Sequence, residues 1–562
     1  MKTGQSHNYW VGVQSLYGNP ARDLIYRFQR VSPMATSPFD PNVLYYGSQY
    51  LHRTRDKGVT WEKMSPDLTA HPECCQGVSG EPITRDVTGE EVYSTLYAIA
   101  ESPLEKGVIW TGANDGPFFV TRDDGRTWAD VTPPGLKALP LGGRVQYIDP
   151  SPIRKGSAYY ATYRYLLGDY EPYIYKTDDY GKTWTRLTDG RNGIPIDTPT
   201  RVVREDPNRE GLLYAGTEFG MYISFDNGGH WQPFNLNLPQ VPITDIKIHN
   251  RDLVVSTQGR AFWILDNISA IEQLAPSVTR AAVHLFKPRD GYRTRTSPNL
   301  YGPQIEYFLP AAPAGAVTLD ILDAKGAPVN SYSSETPAGG TGGGRGGRGG
   351  GGRGAGAAGA GAPGAEPSAA DATPEAGVGG GGGGRGGAQV QTRVTKAAGM
   401  NRVVWNVQYA STVTAPPGAY QAKLTVDGQA YTQPFTVLID PNVAAEGVTT
   451  ADLVELYEHN VKMRDLTIDV AQTLARVRTA RASSGDPVKQ SLLDEISSQI
   501  INTPEGVRYN KPGLQEHVTY LAGMTRTGDQ KIGRDALERY KQLRKQVDDI
   551  KAALDKILGP GK

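Results

Sequence analysis

The residues best suited to chemistry lie in one tyrosine-rich stretch between Ala161 and Asp179. Its aromatic and charged side chains are Tyr163, Arg164, Tyr165, Asp169, Tyr170, Glu171 and Tyr173. Tyrosine rings offer flat apolar faces, which suit the C–H faces of a pyranose ring, and carboxylates can accept sugar hydroxyls or transfer protons. The stretch therefore predicts a sugar-binding loop. The alternative is a surface loop stabilised by packing among its own tyrosines.

Four further candidates lie at predicted strand starts and turns, and they are Asp115, Arg144, Arg201 and Glu218. The two arginines each precede a proline by six residues, at the predicted start of an innermost strand. A pair of guanidinium groups facing a channel could bind a carboxylate bidentately. The carboxylates that could serve as a catalytic acid or base are Asp115, Asp169, Glu171 and Glu218.

A repeated turn positions these residues, because the pattern Ser/Thr-x-Asp-x-Gly-x-x-Trp occurs four times in the first half of the chain. In each copy the Asp carboxylate can accept backbone N–H groups, Gly tolerates positive φ, and Trp packs beneath the turn. We therefore interpret these residues as scaffold. They are Asp56, Gly58, Trp61, Asp123, Gly125, Trp128, Asp179, Gly181, Trp184, Asp226, Gly228 and Trp231.

The repeat extends beyond the turn, since each copy has a proline followed at constant spacing by a small residue that ends a strand: Pro38 to Gly47, Pro103 to Gly112, Pro152 to Ala161 and Pro207 to Gly216. Four short strands per repeat of roughly 45 to 65 residues are typical of β-propeller blades. A fifth repeat, Ile243 to Ile268, has three predicted strands and no such turn. We expect Asp23 to Gln29 to supply the missing strand.

The four turns resemble the Asp-box (BNR) repeats of sialidases, sortilin-type receptor ectodomains and two-propeller xyloglucanases. The stretch from Asp252 to Asn267 resembles the closing part of bacterial sortilin-like proteins often labelled glycosyl hydrolases. This resemblance implies a secreted or periplasmic protein. It also implies a larger ring than five blades, so residues 1–270 are expected to form an N-terminally incomplete propeller.

The same resemblance favours binding over catalysis. The Phe/Tyr-Arg-Ile-Pro motif of sialidases is absent from the sequence. In xyloglucanases the two carboxylates come from different propellers, so a chain with one partial propeller would hold at most one of them. We expect an extracellular sortilin-like propeller that binds a glycan or a peptide at its rim. The alternative is a xyloglucanase-like glycoside hydrolase acting on β-glucans.

Composition excludes several other classes. Lys+Arg and Asp+Glu both number 59, and this balance argues against nucleic-acid or membrane-surface binding. No apolar stretch is long enough for a membrane span, and residues 1–7 show no signal peptide. Cys74 and Cys75 are adjacent, which excludes an ordinary disulfide and favours two free thiols. Their spacing predicts no zinc site, and neither a metal nor another cofactor is expected.

The rest of the chain predicts two further domains. Alternating stretches within 271–440 indicate an immunoglobulin-like β-sandwich, interrupted by a Gly/Arg-rich segment, 338–388, whose composition predicts disorder. Residues 441–562 are predicted to form a helical domain that begins at an N-cap near Thr449. Two long amphipathic helices with shorter ones between them indicate a helical hairpin or bundle, which packs against the sandwich or, alternatively, forms a dimerising coiled coil. The predicted fold is thus mainly β, with a partial propeller, a sandwich and a C-terminal α-helical domain.

Overall fold

The computed structural model describes residues 6–78, 92–140, 142–296, 301–335, 393–409, 412–503 and 510–559. Within these ranges the chain is mainly β, with many antiparallel sheets followed by a C-terminal helical region. It divides into two compact units, residues 1–274 and 275–562. The predicted Gly/Arg-rich insert, 338–388, lies outside the described residues. The predicted boundary near residue 440 stays a prediction.

The first unit contains five antiparallel sheets in chain order. The first sheet consists of β1 (Met34–Thr36), β2 (Leu44–Gly47), β3 (Leu51–Thr54) and β4 (Glu62–Lys63). The second consists of β5 (Leu96–Glu101), β6 (Ile109–Ala113), β7 (Phe118–Thr121) and β8 (Ala129–Asp130). The third consists of β9 (Arg144–Pro150), β10 (Ala158–Arg164), β11 (Asp169–Thr177) and β12 (Thr185–Arg186). The fourth consists of β13 (Thr200–Glu205), β14 (Leu213–Thr217), β15 (Gly220–Ser224) and β16 (Gln232–Pro233), and the fifth of β17 (Ile243–His249), β18 (Asp252–Thr257) and β19 (Phe262–Leu265).

Each sheet packs on the one before it through its first strand. β5 contacts β1 and β2, β9 contacts β5 and β6, β13 contacts β9 and β10, and β17 contacts β13 and β14. This succession of up-and-down sheets is propeller-like. The prediction of a strand at Asp23 to Gln29 is wrong, because side chains rather than a strand ladder hold this segment. The Arg27 guanidinium, for example, donates to Asp67 and to the carbonyl of Ser94.

The four repeated turns have the predicted local geometry. In the second copy, the Asp123 carboxylate accepts the backbone N–H of Thr127 at 2.9 Å, and the Thr121 hydroxyl accepts the N–H of Gly125 at 2.9 Å. The other three turns repeat these bonds. All four glycines have positive φ, between 82° and 93°. The turn carboxylates lie at the surface, and Asp56 is exposed.

The turn tryptophans bond to the neighbouring sheet. The indole N–H groups of Trp128, Trp184 and Trp231 donate to backbone carbonyls of the preceding sheet, those of Met64, Val131 and Leu187, at 3.1, 2.7 and 3.0 Å. Each acceptor lies three residues after the tryptophan of its own sheet. The glycines allow this approach, because a Cβ at Gly181 would lie only 2.6 Å from the Val131 side chain. The repeated motif therefore fastens the second, third and fourth sheets each to the sheet before it.

Acid should weaken these turns. Hydrogen bonds from the hydroxyl and backbone N–H of Thr127 lower the pKa of Asp123 from 3.8 to about 2. The ionised carboxylate therefore stabilises the fold fully above pH 3.8, and this contribution is lost as the pH falls through about 2. We expect Asp123→Asn to lower the thermal midpoint at pH 7. As the pH falls towards 2, the midpoint of the variant should approach that of the parent protein. The measurement is the thermal midpoint against pH, with the exposed Asp197→Asn as the control. A difference in thermal midpoint between Asp123→Asn and the parent that stays the same at every pH would contradict this prediction.

The second unit begins with two sheets that share one core. The smaller contains β20 (His284–Leu285), β22 (Gln304–Leu309) and β25 (Gly399–Val404), and the larger contains β21 (Gly291–Arg293), β23 (Val317–Asp323), β24 (Pro328–Ser333), β28 (Gly418–Val426) and β29 (Gln429–Ile439). β26 (Gln408–Tyr409) pairs with β27 (Val413–Thr414). Buried side chains of both sheets, including Tyr307, Leu319 and Leu424, form a single cluster around Trp405. An immunoglobulin-like topology stays a prediction.

Helices dominate the end of the chain. The helices of the described residues are α1 (Pro134–Lys137), α2 (Ser269–Gln273), α3 (Pro276–Thr279), α4 (Pro441–Ala445), α5 (Thr450–Ser483), α6 (Pro487–Ile500), α7 (Leu514–Arg526) and α8 (Arg534–Leu558). Thr449 caps α5 through a reciprocal capping box with Asp452. The apolar face of α8, including Leu543 and Val547, is buried in a core shared with α5, α6 and α7. The face predicted for a dimerising coiled coil is therefore occupied within the chain.

Candidate functional site

The tyrosine-rich stretch is an extended hairpin rather than the predicted loop. β10 continues to Arg164 and β11 begins at Asp169, and these two residues are partners in the antiparallel ladder. Only a short 3₁₀ turn, Tyr165–Leu167, and Gly168 separate the strands. The extra length arises because hairpin pairing continues past the strand ends of the neighbouring sheets.

Contacts across three sheets bring several predicted residues together. The Arg144 guanidinium donates to the Tyr163 hydroxyl at 2.8 Å and lies over the ring of Tyr97, 4.7 Å from its centre. The rings of Tyr163 and Tyr165 stack with their centres 4.8 Å apart. From the fourth sheet, the Arg201 guanidinium lies over both of these rings. We call Tyr97, Arg144, Tyr163, Tyr165, Arg201 and Glu218 the rim cluster.

One carboxylate in the rim cluster, Glu218, balances the charge of one of its two arginines. Arg201 Nε donates to Glu218 Oε1 at 2.5 Å. Burial raises the pKa of the Tyr163 hydroxyl to about 12, although the nearby Arg144 acts in the opposite direction. The neutral phenol, the two guanidinium groups and the carboxylate thus give a row of hydrogen-bonding groups interleaved with aromatic rings.

Arg164, Asp169 and Tyr173 form a separate internal network. The Asp169 carboxylate accepts from Arg164 Nε at 2.7 Å and from the Tyr173 hydroxyl at 2.8 Å. Partial burial raises the pKa of Asp169, but these two hydrogen bonds outweigh it and lower the pKa overall. Arg164 and Tyr173 are buried. The network therefore holds the two strands together at the turn end of the hairpin.

The remaining two carboxylates lie apart from the rim cluster. Glu171 pairs with Arg186 at 2.7 Å, on the side of the hairpin that faces β12. Asp115 is buried and accepts the backbone N–H groups of Ala70 and His71 at 3.0 and 3.1 Å. Burial raises the pKa of Asp115 despite these bonds. These bonds of Glu171 and Asp115 go to residues outside the rim cluster.

The first strand of four sheets has a β-bulge at a similar position, and the bulge leaves one residue without a ladder partner. Near the start of β5, β9, β13 and β17, one residue has no direct ladder partner: Tyr97, Gln146, Arg201 and Thr244, respectively. Gln146, not Arg144, is therefore the counterpart of Arg201. Sequence reasoning missed Tyr97 and Gln146. Their signal was available, because each precedes the repeat proline by six residues, as Arg201 does.

Several exposed apolar side chains lie near Tyr165 or Glu218 in the sequence, and Tyr165 is itself half-buried. Tyr170 is 56% exposed at the start of β11, and Phe219, next to Glu218, is 48% exposed. Leu166 and Leu167 in the 3₁₀ turn are also exposed. Phe219 was not predicted as a site residue. Together these side chains form an apolar surface beside the polar row of the rim cluster.

This arrangement suits binding of a neutral polyhydroxylated ligand. Aromatic faces can cover its C–H groups while guanidinium and carboxylate groups bond its hydroxyls. Each of the four candidate catalytic carboxylates already bonds to a partner in the chain. Among the described residues, no group of three or more His, Cys, Asp or Glu side chains could hold a metal ion. Cys74 and Cys75 are free thiols.

Comparison with known proteins adds a partial likeness. No protein-family model matches the chain. The chain is 32% identical over 147 residues to the oligoxyloglucan-reducing end-specific xyloglucanase of Emericella nidulans. The aligned segment covers 25% of this chain and 17% of that protein. The chain thus matches about a sixth of the length of this curated relative.

Comparison with solved structures gives partial matches to xyloglucanases and to other proteins. The GH74 xyloglucanase of Xanthomonas campestris is 19% identical with a TM-score of 0.30, covering 44% of this chain and 37% of that one. PorZ of Porphyromonas gingivalis is 14% identical with a TM-score of 0.30, covering 72% and 51%. Within the described ranges, no helix is long and apolar enough to cross a membrane.

Proposed function

We propose that the first unit binds a β-glucan oligosaccharide of the xyloglucan type at the rim cluster. The observation that supports this proposal most is the row of tyrosines and arginines across three sheets, together with the exposed rings of Tyr170 and Phe219. The xyloglucanase named in the sequence comparison supports this sugar class. An Asp-box, sortilin-like scaffold in an extracellular setting belongs to the same proposal.

The ligand would lie along the apolar surface, with its rings against Tyr165 and Tyr170. The Tyr163 ring supports Tyr165 from within, and Arg201 lies beside both. This packing fixes the orientation of Tyr165 before the ligand arrives, which reduces the entropy lost on binding. Glu218 and Arg144 can then bond to hydroxyl groups of the sugar. A peptide ligand would use the same aromatic faces and is an alternative outcome of the binding test.

Hydrolysis is the second candidate, favoured by the name of the curated relative. A glycosidase needs a protonated acid and a second carboxylate on either side of the scissile bond. Asp115 has the raised pKa of an acid but is buried and bonded to backbone N–H groups. Asp169 and Glu218 are ion-paired. The contacts of these residues support binding without cleavage.

Calorimetric titration of the full chain with a xyloglucan oligosaccharide tests this proposal. We expect saturable binding and no new reducing ends after prolonged incubation. Release of reducing ends that is abolished by Glu218→Gln or Asp169→Asn would establish the hydrolase instead. If neither xyloglucan nor other β-glucan oligosaccharides bind, both the binding proposal and the hydrolase alternative are refuted.

Removing either accessible tyrosine ring should weaken binding. We expect Tyr165→Ala and Tyr170→Ala each to cost about 1 to 3 kcal/mol of binding free energy, because each loses one aromatic contact with the sugar. Unfolding free energy should change little in Tyr170→Ala, since this side chain is mostly exposed. Titration of both variants measures the loss, and Ile264→Ala is the control, because this apolar side chain is 59% exposed on β19 and lies outside the rim cluster and the apolar surface. Unchanged affinity in both tyrosine variants would contradict the site.

A further inference from the structure

The first sheet differs from the next three in the bonding of its turn tryptophan. Trp128, Trp184 and Trp231 each donate an indole N–H to the preceding sheet. The Trp61 Nε1 atom is also buried, yet no acceptor for it lies among the residues that the structure describes. A buried donor without an acceptor destabilises the fold that contains it. It therefore indicates a missing partner at this point.

The turn glycine of the first sheet also lacks its usual neighbour. In the other three turns this glycine faces an aliphatic or thioether side chain of the preceding sheet, from Met64, Val131 or Leu187. A Cβ on Gly58 would instead meet Tyr9, at 3.2 Å. An irregular N-terminal segment thus lies where a sheet lies in the other three cases.

This segment covers the first sheet incompletely. A cavity of about 290 Å³ remains between His7, Tyr9 and Trp10 on one side and the sheet on the other. Met34 on the sheet is 67% exposed, and Trp10 is 62% exposed. We call Met34, Tyr46, Gly58 and Trp61 the Trp61 face. It combines an exposed apolar surface with one buried, unsatisfied donor.

We propose that the Trp61 face binds a further four-stranded sheet of the same repeat type, supplied by polypeptide outside residues 1–562. The bound sheet gives a backbone carbonyl to Trp61 Nε1 and places an aliphatic side chain over Gly58. It displaces residues 7–10 from the face. The three internal interfaces of the same kind define both contacts.

The chain's own sheets do not fit this role in a second copy. The acceptor carbonyls of Met64, Val131 and Leu187 are already bonded to tryptophans. Phe234, the equivalent residue of the fourth sheet, packs into the core shared with the fifth. The fifth sheet has three strands in the described chain and hence no equivalent residue. An additional sheet is the occupant that these contacts favour.

Methionine oxidation can test this proposal. The full chain is extended at Met1 by a copy of residues 144–199, which contain the third sheet and Leu187. We expect peroxide to oxidise Met34 at least about tenfold more slowly in the extended chain, because a bound sheet covers the thioether. Met524, 56% exposed on α7, should oxidise at the same rate in both proteins. Mass spectrometry of peptides measures both rates.

Two variants make the test specific. Leu187→Asp in the added copy places a charge over Gly58 and should abolish the protection of Met34. Trp61→Phe should reduce the protection of Met34 without abolishing it, because the variant keeps an aromatic ring but loses the N–H donor. A second extension, a copy of residues 96–140 with Val131, guards against a misfolded addition. Unprotected Met34 in both extended chains, or protection that survives Leu187→Asp, would overturn the proposal.

Discussion

Trp231→Ala should lower the unfolding free energy by about 3 to 5 kcal/mol, the usual cost of removing a buried tryptophan ring. Trp231 is 3% exposed and packs with Leu187, Ile194 and Leu213 between the third and fourth sheets. Its indole N–H also donates to the Leu187 carbonyl, so the variant loses this bond as well as the packing. The other turn tryptophans are only half-buried, and their replacement should cost less.

Urea unfolding followed by circular dichroism measures this loss. Trp231→Phe keeps most of the packing and should lose only about 1 kcal/mol relative to the parent for the missing hydrogen bond, plus a small packing term. Trp10→Ala, at a residue 62% exposed, is the control and should change little. A loss under about 1 kcal/mol in Trp231→Ala would show that the repeated contact is not what joins the sheets.

Asp529→Ala should destabilise the second unit by about 3 to 5 kcal/mol, because it leaves a buried guanidinium without its counter-ion. Asp529 Oδ1 accepts from Arg293 Nη2 at 2.9 Å, and the two side chains are 4% and 2% exposed. Arg293 lies in the five-stranded sheet and Asp529 in the helical region, so this pair links the two parts of the unit. Arginine cannot deprotonate to relieve the cost.

Arg295 provides a matched control for this pair. Its guanidinium also contacts Asp529, at 3.2 Å, but its side chain is 45% exposed. Arg295→Ala should therefore cost no more than about 1 kcal/mol, the usual value of an exposed ion pair. Equal losses in Arg295→Ala and Asp529→Ala, measured by urea unfolding, would show that burial does not set the strength of this contact.

The scaffold could be predicted because its signals are local. A turn of the Asp123 type is specified within eight residues, and the strands between the turns follow from β-branched and aromatic runs. The cap at Thr449 is also a local feature, and the structure confirms it. Local chemistry thus gives the number and order of the sheets.

The candidate site could be predicted only in part because it depends on pairing between strands. Ladder pairing of Arg164 with Asp169 turns the predicted loop into a hairpin, and no local pattern specifies that register. Tyr163 is buried because Arg144 and Arg201 from other strands cover it. Phe219 joins the site only because β14 lies beside β13. Long-range contacts therefore decide which tyrosines remain accessible.

Hydrogen–deuterium exchange with and without a xyloglucan oligosaccharide tests the central claim most directly, because it locates a ligand on the intact chain. The rim cluster predicts slower amide exchange in peptides that cover 165–170 and 218–219. Peptides from the repeated turns, such as Asp123 to Trp128, should exchange at unchanged rates. Slowed exchange elsewhere in the chain, with residues 165–170 unaffected at saturating ligand, would contradict the account.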